Sequence, residues 1–171
     1  MTGHLPPAAC LLTLALWPFP AMALDQQDIA ALIKLRPSVL KVEASDDRGN
    51  ISVGTGVAVG PGIIATACHV TARAMTIRVV SNGERMQVSS QRAQVGRDLC
   101  LLDVPGASQV PVVELRSTPL KPGEELVALG YILGVAPRVS NGMVLQLHPH
   151  DGASVIQSTT PFTSGASGGG L

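Results

Sequence analysis

The sequence predicts an all-β protein: a first barrel of short strands that closes, and a second set of strands that stops before it can close. Three observations carry this. Aromatics are 2% of the 171 residues while Gly numbers 18 and Pro 13, so the core must be Val, Leu, Ile and Ala laid between many turns. Between residues 38 and 104 apolar stretches of strand length alternate with turn signals, which is the grammar of a small closed barrel. From residue 123 the same grammar resumes and runs to Leu171.

The chain opens on a segment outside this pattern. Ala8 to Pro20 is apolar but shorter than the roughly 20 residues a membrane span needs, and Pro18 and Pro20 oppose a buried helix. Ala21-Met22-Ala23 follows with the small-x-small pattern of a cleavage site, so residues 1–23 read as a signal peptide rather than a membrane span. The protein is therefore expected to be exported, periplasmic or secreted. Cys10 would leave with the leader, and Cys68 and Cys100 remain as a disulfide candidate in an oxidising compartment.

Residues 24–37 hold a short amphipathic helix, Leu24 to Arg36, with Ile29, Leu32 and Ile33 on one face and Pro37 ending it. The first barrel, residues 38–104, is expected from strands Ser38–Ala44, Ile51–Val59, Ile63–Ala67, Met75–Val80, Glu84–Ser90 and Leu99–Val104. Ser81-Asn82-Gly83 marks a hairpin. Residues 105–122 form a Pro-rich connection. Residues 123–171 hold the partial second barrel: Glu125–Leu129, Arg138–Ser140 and Met143–Leu147 around an Asn141-Gly142 turn, and Val155–Ser158.

Composition excludes several classes. With 46% hydrophobic residues the chain is not disordered, and 12 Lys and Arg against 12 Asp and Glu leave no electrostatic footprint for nucleic acid or an anionic membrane. Gly54 to Gly62 is glycine-rich but lacks the Lys-Ser/Thr of a phosphate loop. His148 and His150 lack partners at zinc-like spacing and read as a solvated turn. No metal and no cofactor is implied.

Chemistry gathers at three segments. Thr163-Ser164-Gly165-Ala166-Ser167-Gly168-Gly169-Gly170-Leu171 sets a serine on a glycine-rich turn. Gly165 allows the backbone to aim the N–H groups of Gly165 and Ser167 at one point, and Gly168 and Gly169 are expected to let substrate approach. Ile63-Ile64-Ala65-Thr66-Ala67-Cys68-His69-Val70 ends an apolar strand on a histidine. Arg97-Asp98-Leu99-Cys100-Leu101-Leu102 begins another with an aspartate. Asp103 lies an odd number of positions from Asp98, on the opposite face of that strand.

These segments, in this order, resemble the trypsin/chymotrypsin-like serine proteases, particularly the bacterial HtrA-like branch, over about residues 38 to 171. The resemblance implies a trypsin-like double β-barrel with a cleft between barrels and a polypeptide as substrate. It implies that Ser167 is the nucleophile, His69 the general base and then acid, and Asp98 the group that orients His69. Gly165 and Ser167 would supply the oxyanion hole. If His69 and Asp98 touch, Cys68 and Cys100 must lie close, and a bridge between them would contribute roughly 3–4 kcal/mol. Ala166 stands where pancreatic-type members carry an Asp that pairs with a new amino terminus, so activation by terminal insertion is not expected. Pro161 falls near the base of the primary pocket without an acidic residue beside it, which points to small or medium apolar residues before the cleaved bond. In the family several strands follow the nucleophile, so the 171-residue chain is expected to be poorly active. The alternative is a non-catalytic, protease-like scaffold used for binding.

Overall fold

The computed structural model describes residues 26–161 and 163–171. The expected signal peptide, residues 1–23, lies outside the described residues. The first helix, α1, spans Gln26–Leu35, and Arg36–Ser38 continues as one 3-10 turn carrying Pro37. The helix does not bury the face its sequence offered: Ile29 and Ile33 stay exposed, while Leu32 and Leu35 face a groove described below.

The first sheet has β1 (Val39–Ser45), β2 (Ile51–Gly60), β3 (Ile63–Ala67), β4 (Thr76–Ser81), β5 (Glu84–Gln87), β6 (Ser90–Gln94) and β7 (Leu99–Asp103), with the short helix α2 (Cys68–Thr71) after β3. Its order is β5-β4-β1-β2-β3-β7-β6, all neighbours antiparallel. The two end strands are consecutive in the chain. The strand expected over Glu84–Ser90 is one extended run that breaks at Val88-Ser89, leaving β4 for β7: Val88 N–H still donates to the Ile77 carbonyl, and Ser89 N–H donates to the Asp103 carbonyl. The sheet thereby curls upon itself. Period-2 alternation turns Leu40, Val42, Ile64, Val79 and Leu102 inward, where they pack with Met86 and Val104 as one core.

The β4–β5 hairpin turns at Asn82 and Gly83, both at positive φ, as the Asn-Gly signal requires. From Ser108 to Glu124 the chain forms no helix or strand. Within it Val113 N–H donates to the Ala58 carbonyl, laying this connection along β2.

The second sheet is three-stranded, in the order β10-β9-β8, with β8 Glu125–Ile132, β9 Ala136–His150 and β10 Ala153–Ser158. It overturns the expected Asn141-Gly142 turn. A two-residue turn of that type needs positive φ at both central positions, and neither residue has it. Gly142 instead pairs with Leu126 inside a continuous strand, packed so closely on Thr160 that a Cβ would come 2.5 Å from its backbone nitrogen. The turns fall at Leu133-Gly134 and Asp151-Gly152, whose φ values of 52°, 69°, 48° and 72° are all left-handed. His148 and His150 lie exposed on β9 rather than in a turn, His148 beside the Gln157 amide.

The two halves touch where β1 and β2 approach β8. Thr55 of β2 contacts both β8 and the segment around Ser167, and Arg97 pairs with Asp151 at the β9–β10 tip, while within the second half Leu129 of β8 bridges Gly170.

Candidate active site

His69 sits in α2, the single helical turn that ends β3. Asp98 stands just before β7 at φ 53°, where the chain leaves the short 3-10 turn Val95–Arg97. Because β3 and β7 pair in register, Thr66 opposite Cys100 and Ala67 opposite Leu99, the residues just beyond these pairs meet. Three hydrogen bonds join them. Cys68 N–H donates to the Asp98 carbonyl at 3.1 Å, His69 N–H to Oδ1 at 2.8 Å, and the His69 ring Nδ1 lies 2.6 Å from Oδ2. Desolvation pushes the Asp98 carboxyl up, but the hydrogen bonds from the His69 ring and backbone outweigh it and hold the group below its ordinary value. An ionised carboxylate only accepts, so Nδ1 carries the proton and Nε2 of the neutral ring is left as a base. Both side chains are open to water, His69 59% and Asp98 48% exposed.

The Cys68 and Cys100 sulfurs lie 2.08 Å apart, next to both members of this pair, across a sequence separation of 32. Asp103, excluded on strand phase, engages Ser90 and Arg92 instead. Among the described residues no three metal-ligating side chains gather.

Ser167 lies in the second of two successive β-turns. Ala166 N–H donates to the Thr163 carbonyl and Gly169 N–H to the Ala166 carbonyl, each turn carrying a glycine at its third position, Gly165 at φ 93° and Gly168 at φ 84°. Positive φ there is the type II requirement that makes glycine the fit residue. The Ser164 carbonyl accepts from Leu133 N–H at 2.8 Å and the Ala166 carbonyl from Gly169 N–H at 2.9 Å. In a trans peptide the N–H points opposite its carbonyl, so the N–H groups of Gly165 and Ser167 face away from these anchors. Neither donates to an acceptor among the described residues.

The turn is seated on the first sheet. Thr55 N–H donates to the Ser167 carbonyl at 2.7 Å, and a Cβ on Gly168 would lie 2.8 Å from the Ala67 nitrogen, two residues before His69. Among the described residues no hydrogen bond joins Ser167 to His69. Gly168 and Gly169, expected to let substrate approach, are packed against the chain itself. Added Cβ atoms would meet the Thr55 carbonyl at 2.2 Å and the Leu129 carbonyl at 2.7 Å, so these glycines let the chain pack upon itself. Sequence reasoning missed Thr55 and Thr66. Thr66 Oγ1 donates to the Thr55 carbonyl at 2.6 Å, and both threonines are buried. Their one signal was a hydroxyl at an inward position of an apolar strand.

Residues 54–171 match the family described as trypsin-like peptidase domain, well over half of the chain. The chain belongs to the trypsin-like peptidase family. A trypsin-like peptidase is a serine endopeptidase, and its substrate is a polypeptide. Solved structures agree at the level of fold. The active form of the Rv3671c protease from M. tuberculosis superposes with a TM-score of 0.74 at 22% identity, covering 94% of this chain and 77% of that one. The serine endoprotease from Yersinia pestis gives 0.70 at 23%, covering 81% and 50%. The HtrA-type protease AlgW, solved with a tripeptide, gives 0.71 at 24%, covering 82% and 48%. This trypsin-like peptidase therefore spans about half the length of those two HtrA-type and endoprotease chains, and the expected likeness to the HtrA branch is met in its fold. No curated protein matches the chain. Among the described residues of the peptidase no helix is long and apolar enough to cross a membrane.

Proposed function

We propose that this trypsin-like peptidase cleaves polypeptides through a triad of Ser167, His69 and Asp98, with the N–H groups of Gly165 and Ser167 as its oxyanion hole. The observation that carries this reading is the set of three hydrogen bonds from Cys68 and His69 to Asp98, which leaves Nε2 as the base. In the reaction Nε2 takes the Ser167 hydroxyl proton as Oγ attacks the scissile carbonyl, and later returns it to the departing amine. Negative charge on the carbonyl oxygen meets the two outward N–H groups. Small or medium apolar residues precede the cleaved bond.

The reading extends along the chain. Residues 1–23 are a signal peptide, and 24–37 are the segment that carries the short helix α1. Residues 38–171 are the peptidase domain: 38–104 the first barrel, 105–122 the connection, 123–171 the partial second barrel. The protein is exported, to the periplasm or outside, where Cys68 and Cys100 form a disulfide. Water access to His69 and Asp98 weakens the electrostatics the triad relies on, so the 171-residue chain turns over slowly. That same exposure, with no bond from Ser167 to His69, favours the second reading, a binding scaffold of protease lineage.

A fluorophosphonate probe separates the two, because it reacts rapidly only with a serine backed by a base and an oxyanion hole. The expected result is labelling at Ser167 that Ser167→Ala abolishes, with slow hydrolysis of a peptide library. Absence of labelling overturns the catalytic reading and leaves the scaffold.

A further inference from the structure

Thr55 is fully buried, and each of its polar atoms is spoken for. Its N–H donates to the Ser167 carbonyl at 2.7 Å and its carbonyl accepts from Thr66 Oγ1 at 2.6 Å. Its hydroxyl donates to the Gly165 carbonyl at 2.7 Å and accepts from Tyr131 N–H at 2.8 Å. One side chain on β2 thus ties the serine turn to β8 across the two sheets.

The placement within the turn matters more than the number of bonds. The peptide unit between Gly165 and Ala166 has its N–H on the Thr163 carbonyl and its carbonyl on the Thr55 hydroxyl. The unit after Ser167 has its carbonyl on Thr55 N–H. These two units bracket the one that carries the Ser167 N–H. Held on both sides, that unit cannot rotate without breaking a buried hydrogen bond, and an orphaned buried carbonyl is costly. Release of either bracket would free the dihedrals at Gly165, Ala166 and Ser167 on which the direction of the Gly165 and Ser167 N–H groups depends.

We infer that Thr55 is a positioning residue, whose hydroxyl on the Gly165 carbonyl, together with its backbone N–H on the Ser167 carbonyl, locks the peptide planes of residues 165–168 so that the Gly165 and Ser167 N–H groups face the substrate oxyanion. The inference rests on the proposed roles of Ser167 and the oxyanion hole. Thr55 itself touches no substrate. Val replaces Thr in shape and removes the hydroxyl, leaving the Gly165 carbonyl and Tyr131 N–H without their partner.

The test compares the full chain with Thr55→Val and Thr55→Ser by fluorophosphonate labelling across pH and by amide hydrogen exchange. Thr55→Val is expected to lower the labelling rate about tenfold to a hundredfold, no more than the outright loss of an oxyanion donor. The midpoint of its pH dependence should stay in place, because His69 and Asp98 are untouched. Thr55→Ser keeps the hydroxyl and should restore most of the rate. The Ala166 and Gly169 amides should exchange faster in Thr55→Val while those of β1 to β4 do not change. Labelling of Thr55→Val at the parental rate overturns the inference and leaves the triad standing. If the parent itself does not label, the triad reading falls and exchange decides on Thr55: unchanged Ala166 and Gly169 amides overturn its role, faster ones support it. Should Thr55→Val not fold, Thr55→Ala, which leaves room for water at the orphaned groups, takes its place in every comparison.

Discussion

Asp98 owes its reach to a backbone state that few residues accept. At φ 53° it turns its carboxylate back over the Cys68–His69 peptide, and Asp tolerates this region better than most residues. Its two oxygens then divide their work between the His69 backbone and ring. Asn at this position keeps the shape but brings an N–H where an acceptor is needed, so the ring is held in the wrong tautomer. Asp98→Asn should therefore lower reaction at Ser167 by up to about 10⁴-fold, the scale known for this change in serine-protease triads. The pH dependence of stability gives a second readout. Because the folded carboxyl is held below its ordinary value of 3.8, its contribution is fully present above that pH and is lost as pH falls through the folded value. Urea unfolding of parent and Asn variant should accordingly differ near neutral pH and converge in acid. A gap that widens in acid contradicts the assignment. At this scale the meeting of His69 with Asp98 was legible, and Ser167 was singled out beside them, because each stands in a chemically distinctive segment. Thr55 was not, because a buried hydroxyl in a strand carries no sign of what it bonds.

The element scale is where sequence reading both succeeded and failed. Strands β1, β2, β3 and β7 were legible within a residue or two, since alternation with Gly-Pro punctuation leaves little choice. The single strand β9 was read as two because Asn141-Gly142 has the composition of a turn. Packing of Gly142 on Thr160 outweighed that local signal, while Leu133, an improbable turn residue, took the left-handed conformation. Glycine serves close packing as readily as reversal, and composition alone does not distinguish the two uses. The amphipathic face of α1 misled similarly, since a helix end that touches the body through Leu32 and Leu35 has no need to bury Ile29 or Ile33. The β3–β7 pair carries Cys68 and Cys100, both buried and with their sulfurs at bonding distance, where the proposed bridge would staple it. Replacing both by Ala should lower unfolding stability by about 2–5 kcal/mol, measured under non-reducing denaturant titration. Equal stability of parent and variant, or alkylation of both cysteines in the untreated protein, removes the bridge from the account.

At the scale of the molecule the two halves differ in kind. The first sheet curls until its ends are consecutive strands, and its core is drawn wholly from residues 40–107 and close neighbours. The second is a three-stranded sheet, and beside it runs an apolar groove of about 670 Å³ with Val57, Val127, Leu129 and Leu171 among its walls and Asp98 at its edge. Composition foretold the class of fold, and turn spacing foretold the split into a complete and a partial set. The bends that close the first set arise from tertiary pairing and left no local mark. The proposed leader, residues 1–23, and a buried cysteine pair together would suit an oxidising compartment. Expression with the native start should yield a processed chain beginning at Leu24, read by amino-terminal sequencing; retention of Met1 speaks against export. The self-contained first half also sets an order of events. The hydrogen bonds that join His69 to Asp98, and the β3–β7 pairing that brings them together, involve nothing beyond residue 103, so the proposed base and its orienting carboxylate could meet while residues 163–170 are still unfolded. On the proposed triad, an emerging polypeptide of this kind would carry an idle base and no activated hydroxyl, and its capacity to cut would arrive only when the serine turn docks on Thr55.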